Sequence, residues 1–315
     1  MRMIEIFLKT LPFFALIGLG YGAGRTGFFS PEASAYLTKF VFYFALSAMI
    51  FGFAANLSLG EILDWTFVGA YLSGCIAVYL LAMMVAFARR RPLAEAAFEA
   101  QCAVIGNVGF LGIPMLVVLI GPAAAGPTLL VLSVDLIVFS SLVVILLTLG
   151  RGTGGPRDAL VQAVLAVVKN PMIVSLALGL LVAGFDVPIP APVNEFLSIL
   201  GAAATPGALF AIGASLATKT AERLSVAAWL TFCKLVLHPG AVAIAALMVF
   251  DVDPFAAAVM VSAAALPVAG NVYILAQHYG VAPQRVSASI LISTAVSIVT
   301  VSLVIAWVSG LAGLG

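Results

Sequence analysis

Apolar runs of about 20 residues recur along the whole chain, each closed by a charge, a glycine or a proline, and each long enough as a helix to cross a bilayer core. They cover residues 4–24, 33–54, 65–88, 96–120, 127–149, 164–184, 193–217, 225–249, 254–279 and 286–310. The pattern predicts an all-α membrane protein of ten transmembrane helices with short connections and no separate soluble domain. The first run begins among Arg2, Glu5 and Lys9 rather than behind a purely basic stretch, so it reads as a retained helix and not a cleaved leader.

Sliding the chain against itself by 159 positions aligns Pro12 with Pro171, Gly20 with Gly179, Phe51 with Phe210, Leu116 with Leu275 and Gly121 with Gly280. Ala45/Ala204, Ala55/Ala214 and Leu57/Leu216 fall on the same diagonal. The chain therefore divides into a first five-helix repeat, residues 1–155, and a second, residues 156–315. An odd number of spans per repeat makes the second copy enter the membrane from the opposite side, the inverted arrangement common among secondary transporters.

The diagonal also superposes the two runs richest in helix breakers. The fourth holds Gly106, Asn107, Gly109, Gly112 and Pro114; the ninth holds Leu266, Pro267, Gly270 and Asn271. Proline removes a backbone donor and clashes with the preceding turn, while glycine lowers the cost of an unwound backbone. In hydrocarbon such breaks survive only where protein or a wet cavity covers them. Ordinary proline kinks are the alternative for either run alone; matched breaks point to a transport site. Half-helices starting there present free N–H groups and positive dipole ends, which suit an anion without a cationic side chain. Asn107 and Asn271 supply amide donors or cap the broken backbone, or both. The candidate substrate-binding residues are thus Asn107, Gly109, Gly112, Pro114, Pro267, Gly270 and Asn271.

Charge is scarce: 63% of residues are apolar, 9% are charged, and mean hydropathy is +1.22. Two charges fall mid-span, Asp135 in the fifth run and Lys234 in the eighth. Such placement costs at least about 2.5–3.5 kcal/mol, so it marks compensation of the half-helix dipoles, a proton-responsive couple or a static ion pair. Lys39 and Glu99, nearer span ends, are expected to snorkel. A net charge of +1 excludes an electrostatic nucleic-acid binder. Cys75, Cys102 and Cys233 read as packing residues, and neither His238 nor His278 has a partner at metal-ligand spacing, so no metal or cofactor is expected. No HExxH or GxSxG is present and one mid-span aspartate stands alone, which disfavours an intramembrane enzyme.

Basic residues follow the odd-numbered runs: Arg25, Arg89 to Arg91, Arg151, Arg157, Lys169, Lys219, Arg223 and Arg285. The other connections carry Glu61, Asp64, Asp186, Glu195, Asp251 and Asp253. Because positive loops stay in the cytoplasm, this places both termini outside it, against Arg2 and Lys9 alone.

Two segments, Asn107 to Pro114 (NVGFLGIP) and Ala265 to Tyr279 (ALPVAGNVYILAQHY), resemble the auxin efflux carrier family of bacterial permeases and plant PIN-FORMED carriers. Asn170-Pro171, Lys234-Leu235, His238-Pro239 and the stretch Ser287 to Ser297 (SASILISTAVS) extend the resemblance over essentially the whole chain. It implies the fold shared by sodium/bile-acid symporters and sodium/proton antiporters. In that fold the fourth and ninth helices cross over, helices 1, 2, 6 and 7 form a scaffold, and helices 3–5 and 8–10 form a moving core. It further implies an elevator-type carrier in the bacterial inner membrane, a homodimer through the scaffold, a carboxylated cargo, and contact of Asn107, Pro114 and Pro267 with the anion. Asn271 stands where plant carriers are aliphatic, and the long central loop of many plant members is missing, which favours a small polar acid over an indole-sized one. A sodium-coupled symporter on the same fold is the nearest alternative, since unwound carbonyls near Asn271 and Gln277 could hold sodium.

Overall fold

The computed structural model describes residues 3–56, 64–151, 155–217 and 224–311. Arg2, Leu57, Glu61, Lys219 and Arg223, used above for orientation and repeat, lie outside the described residues. The described residues are mostly helical, joined by short turns, with one isolated antiparallel bridge and no strand among them. In order the helices are α1 (Glu5–Arg25), α2 (Pro31–Ala55), α3 (Trp65–Ala88), α4 (Leu93–Val104), α5 (Val108–Ile120), α6 (Pro122–Gly150), α7 (Pro156–Val168), α8 (Pro171–Gly184), α9 (Ala191–Leu216), α10 (Leu224–Val249), α11 (Pro254–Ala264), α12 (Gly270–Tyr279) and α13 (Pro283–Gly310). Seven of these, α1, α2, α3, α6, α9, α10 and α13, are singly long and apolar enough to cross a membrane, and the pair α7 and α8 makes an eighth candidate.

Local chemistry sets the starts. Asp64 Oδ1 accepts from the N–H groups of Thr66 and Phe67 at 2.8 and 3.2 Å, and Asp253 Oδ1 from Phe255 and Ala256, both at 3.0 Å. Asp64 and Asp253, two acidic residues of the non-basic loops, therefore also serve as helix caps, meeting backbone donors that the first turn leaves open.

Two sequence expectations change. The run 164–184, read as one span, is two helices bent by 65°: Asn170 leaves the helical conformation, its Oδ1 caps Met172 N–H at 2.9 Å, and Pro171 opens the second helix. Glu99 does not snorkel: it is 1% exposed, bonded to Arg285 Nη1 at 2.7 Å and to Arg89. Arg285 also reaches Glu95 at 2.9 Å, and Arg91 lies 3.8 Å from Glu95. Arginines from two separate elements close over the carboxylate, so pairing offsets its burial better than a stretch to the surface would. Lys39 stays exposed, its Nζ 5.7 Å from the Tyr36 ring centroid.

Small residues bring backbones together. A Cβ on Gly20 would sit 2.1 Å from Phe210 O and one on Gly213 1.9 Å from Ile17 O, so α1 and α9 touch main chain to main chain. A Cβ on Gly179 of α8 would sit 2.8 Å from Phe51 O of α2. Gly20→Ala or Gly213→Ala is therefore expected to destabilise the purified protein by at least about 2 kcal/mol, since backbone cannot yield as a side chain can. Gly22→Ala, with nothing within 4 Å of its added methyl, is the control that should not lower the melting temperature and should raise it slightly, alanine being the better helix former.

Candidate functional site

Helices α4 and α5 are separated by residues 105–107, and α11 and α12 by residues 265–269. The two gaps lie against each other. Asn107 N–H donates to Pro267 O at 2.8 Å, Ala269 N–H donates to Ile105 O at 3.1 Å, and Gly106 pairs antiparallel with Val268. Val268 N–H is met by Ser293 Oγ of α13 at 3.1 Å. Each break thus supplies the partners that the other has lost, which is what an unwound backbone inside a membrane protein requires.

Glycine permits the approach. A Cβ on Gly112 would lie 2.6 Å from Leu266 Cδ1, and one on Gly106 would lie 3.3 Å from both Ala263 O and Lys234 Nζ. Gly112 is therefore a packing position. Pro114 follows the wide i→i+5 turn Val108–Gly112 of α5, an irregularity in the helical ladder beside the N–H that proline lacks.

Asn107, Gly109, Asp135 and Asn271 line one small void of about 20 Å³, together with Ala269, which precedes α12. That volume admits about one water. The amide oxygens of Asn107 and Asn271 and Oδ2 of Asp135 are buried without a hydrogen-bond partner. Beyond it lies a larger cavity of about 500 Å³. Ser34, Thr38 and Lys39 of α2, Ala211 and Ser215 of α9, and Gly270, Asn271 and Gln277 of α12 line it. Asn271 and Phe110 border both spaces and so lie between them. Of the residues singled out from sequence, Asn107, Gly109, Asn271 and Asp135 come together around the void, Gly270 and Asn271 face the larger cavity, and Pro267 contributes its carbonyl.

The two mid-span charges do not pair with each other; each has its own partners. Asp135 Oδ1 accepts from Tyr71 OH at 2.9 Å, on the side where α5 and α12 begin. Lys234, fully buried, donates to Ala264 O at 2.5 Å, where α11 ends. Negative charge at helix starts and positive charge at a helix end is the arrangement the peptide dipoles favour. Lys234 Nζ is also 3.0 Å from His238 Nδ1, and His238 Nε2 is 3.1 Å from Cys75 Sγ. Both charges sit in wide i→i+5 turns, Asp135–Phe139 and Cys233–Leu237.

Tyr71, Cys75, Ser293 and Met172 belong to this constellation but are not apparent from the sequence pattern. Tyr71 and Cys75 are uniformly apolar-run residues; Ser293 falls in the stretch Ser287 to Ser297 without standing out from its neighbouring serines. Ser293→Ala would strand the Val268 N–H in a buried position, and a loss of about 1–3 kcal/mol in thermal unfolding is expected. An unchanged melting temperature would mean that the bridge does not depend on it.

Comparison with known proteins matches residues 5–305 to a family described as membrane transport protein. A protein of Rhizobium meliloti (strain 1021) named "Putative malonate transporter" is 30% identical over 306 residues, 95% of each chain. An Escherichia coli (strain K12) protein named "Uncharacterized transporter YfdV" is 27% identical over 310 residues, 96% of this chain and 97% of the relative.

Proposed function

Because this chain belongs to the membrane transport protein family, the auxin efflux carrier family of its sequence resemblance, we propose that it is a secondary transporter of a small carboxylate across the bacterial inner membrane. The observation that carries this reading is the meeting of two broken helices beside a void bordered by Asn107 and Asn271 and joined through Asn271 to a 500 Å³ cavity. The starts of α5 and α12 offer backbone N–H groups and positive dipole ends to a carboxylate, with the asparagine amides as further donors. The relative named for malonate, alike over 95% of its length, makes a short dicarboxylate the first cargo to test.

In this reading α4–α5 and α11–α12 are crossover helices of two inverted five-helix repeats, 1–155 and 156–315. Paired contacts support the repeat: Gly20 against Phe210, and Gly179 against Phe51, are the same contact displaced by 159 residues in both partners. The scaffold comprises α1, α2, α7–α8 and α9; the moving core comprises α3–α6 and α10–α13. The larger cavity is lined by both groups, as an elevator-type path between them requires. It is bordered by the start of α2, the end of α9 and the start of α13, which adjoin basic loops, so it opens toward the cytoplasm with both termini on the far side. The scaffold also provides the homodimer face. Asp135 and Lys234 hold the half-helix dipoles in balance, and Asp135 couples the cycle to protons.

Asn107→Ala and Asn271→Ala are each expected to lower carboxylate uptake in proteoliposomes by about tenfold or more, the cost of a lost charge-assisted hydrogen bond, while leaving folded protein. Normal uptake by both variants would remove the site. A carboxylate at 100 times its dissociation constant should stabilise the wild type by about 2.7 kcal/mol in a thermal shift. Asp135→Asn is expected to change the pH profile of uptake; superimposable profiles would leave Asp135 a structural role. Uptake that requires sodium would instead favour a symporter on the same architecture.

A further inference from the structure

The void beside the paired asparagines, about 20 Å³, is smaller than any carboxylate, so one of its walls must give way when an anion enters. Most of that wall comes from the two breaks and the start of α5, with Leu132, Asp135 and Leu136 added by α6. Met172 differs on three counts. It belongs to the first turn of α8, which packs on α2 through Gly179 rather than on the breaks themselves. Its side chain is unbranched and adaptable, with three rotatable bonds. Its terminal methyl also occupies room left by a missing side chain: a Cβ on Gly109 would lie 2.7 Å from Met172 Cε. The backbone beneath it is fixed, since Met172 N–H is held by Asn170 Oδ1 at 2.9 Å after the rigid Pro171 bend. Met172 is 3% exposed, so its methyl is committed to this void and not to lipid.

We propose that Met172 is the specificity-determining side chain of the anion site: its thioether tip fills the space a longer acid needs, and so limits the cargo to short chains. The proposal rests on the carboxylate reading above and names the size class within it. Glycine at 109 and methionine at 172 form one complementary pair, one removing a methyl and the other supplying it from a different helix. Displacement of the tip makes room for a short carboxylate. A longer chain needs the volume of the whole side chain.

The test is competition for uptake by purified full-length protein in proteoliposomes, using malonate, succinate, glutarate and adipate. Wild type should lose affinity as the acids lengthen. Met172→Ala, which deletes Cγ, Sδ and Cε, should improve adipate relative to malonate by at least about tenfold, the lower range for a few methylenes in a fitted pocket. Met172→Leu, nearly equal in volume, should keep the wild-type order. If Met172→Ala is not recovered folded, Met172→Val is read by the same ratio. An unchanged order of acids in the folded shortened variant overturns the proposal, as does a wild type indifferent to chain length. Failure of wild type to respond to all four acids would overturn the carboxylate reading itself and this inference with it. A wild type that discriminates while the shortened variant discriminates identically would overturn the inference alone.

Discussion

A peptide group in hydrocarbon has no water to bond, and this fold meets that constraint at its weakest place by letting two broken helices satisfy each other. Asn107 N–H finds Pro267 O, Ala269 N–H finds Ile105 O, Ser293 caps Val268 N–H, and Lys234 takes the carbonyl of Ala264. Two unwound segments that would each be too costly alone become tolerable together. The requirement explains the small residues nearby: Gly106 makes room for the lysine tip and Gly112 for Leu266. It also accounts for the starts of α5 and α12 lying against each other inside the protein and bordering a small void.

Charge is handled in two distinct ways. Around the breaks, Asp135 and Lys234 are answered by a phenol, an imidazole, a carbonyl and helix ends, with no ion pair between them. At the start of α4 the opposite holds, with Glu95 and Glu99 enclosed by Arg89, Arg91 and Arg285. The second solution ties α13 to α3 and α4 by full charges, which are costly to separate once buried. The first leaves the carboxylate and ammonium balanced by neutral groups and helix ends. Ion pairing thus gathers at the start of α4, and dipole compensation at the two breaks.

The sequence made much of this legible because its signals were local. Apolar runs between polar connections located the helices, and Gly106, Asn107, Pro114, Pro267 and Gly270 located both interruptions. What escaped was set by partners distant in the chain. Glu99 looked like a span-end residue because Arg285, 186 positions away, is invisible to any local window. Met172 reads as one more apolar residue after a proline until Gly109 is seen opposite it. The bend before it was hidden for another reason: Pro12 stays inside an unbroken α1 while Pro171 opens a helix, so the same residue type has two outcomes. The cap from Asn170, and not the proline by itself, accompanies the difference. Tyr71 and Cys75 likewise gain polar meaning only beside Asp135 and His238.

The 500 Å³ cavity carries a consequence of its own. At bulk density it accommodates on the order of 15 water molecules. Any rearrangement that shut it would return that water to the surrounding solution, so the free energy of such a change would depend on osmotic pressure. Solutes too large to enter would press the protein toward its drier shape, an influence exerted without touching a single residue of the site.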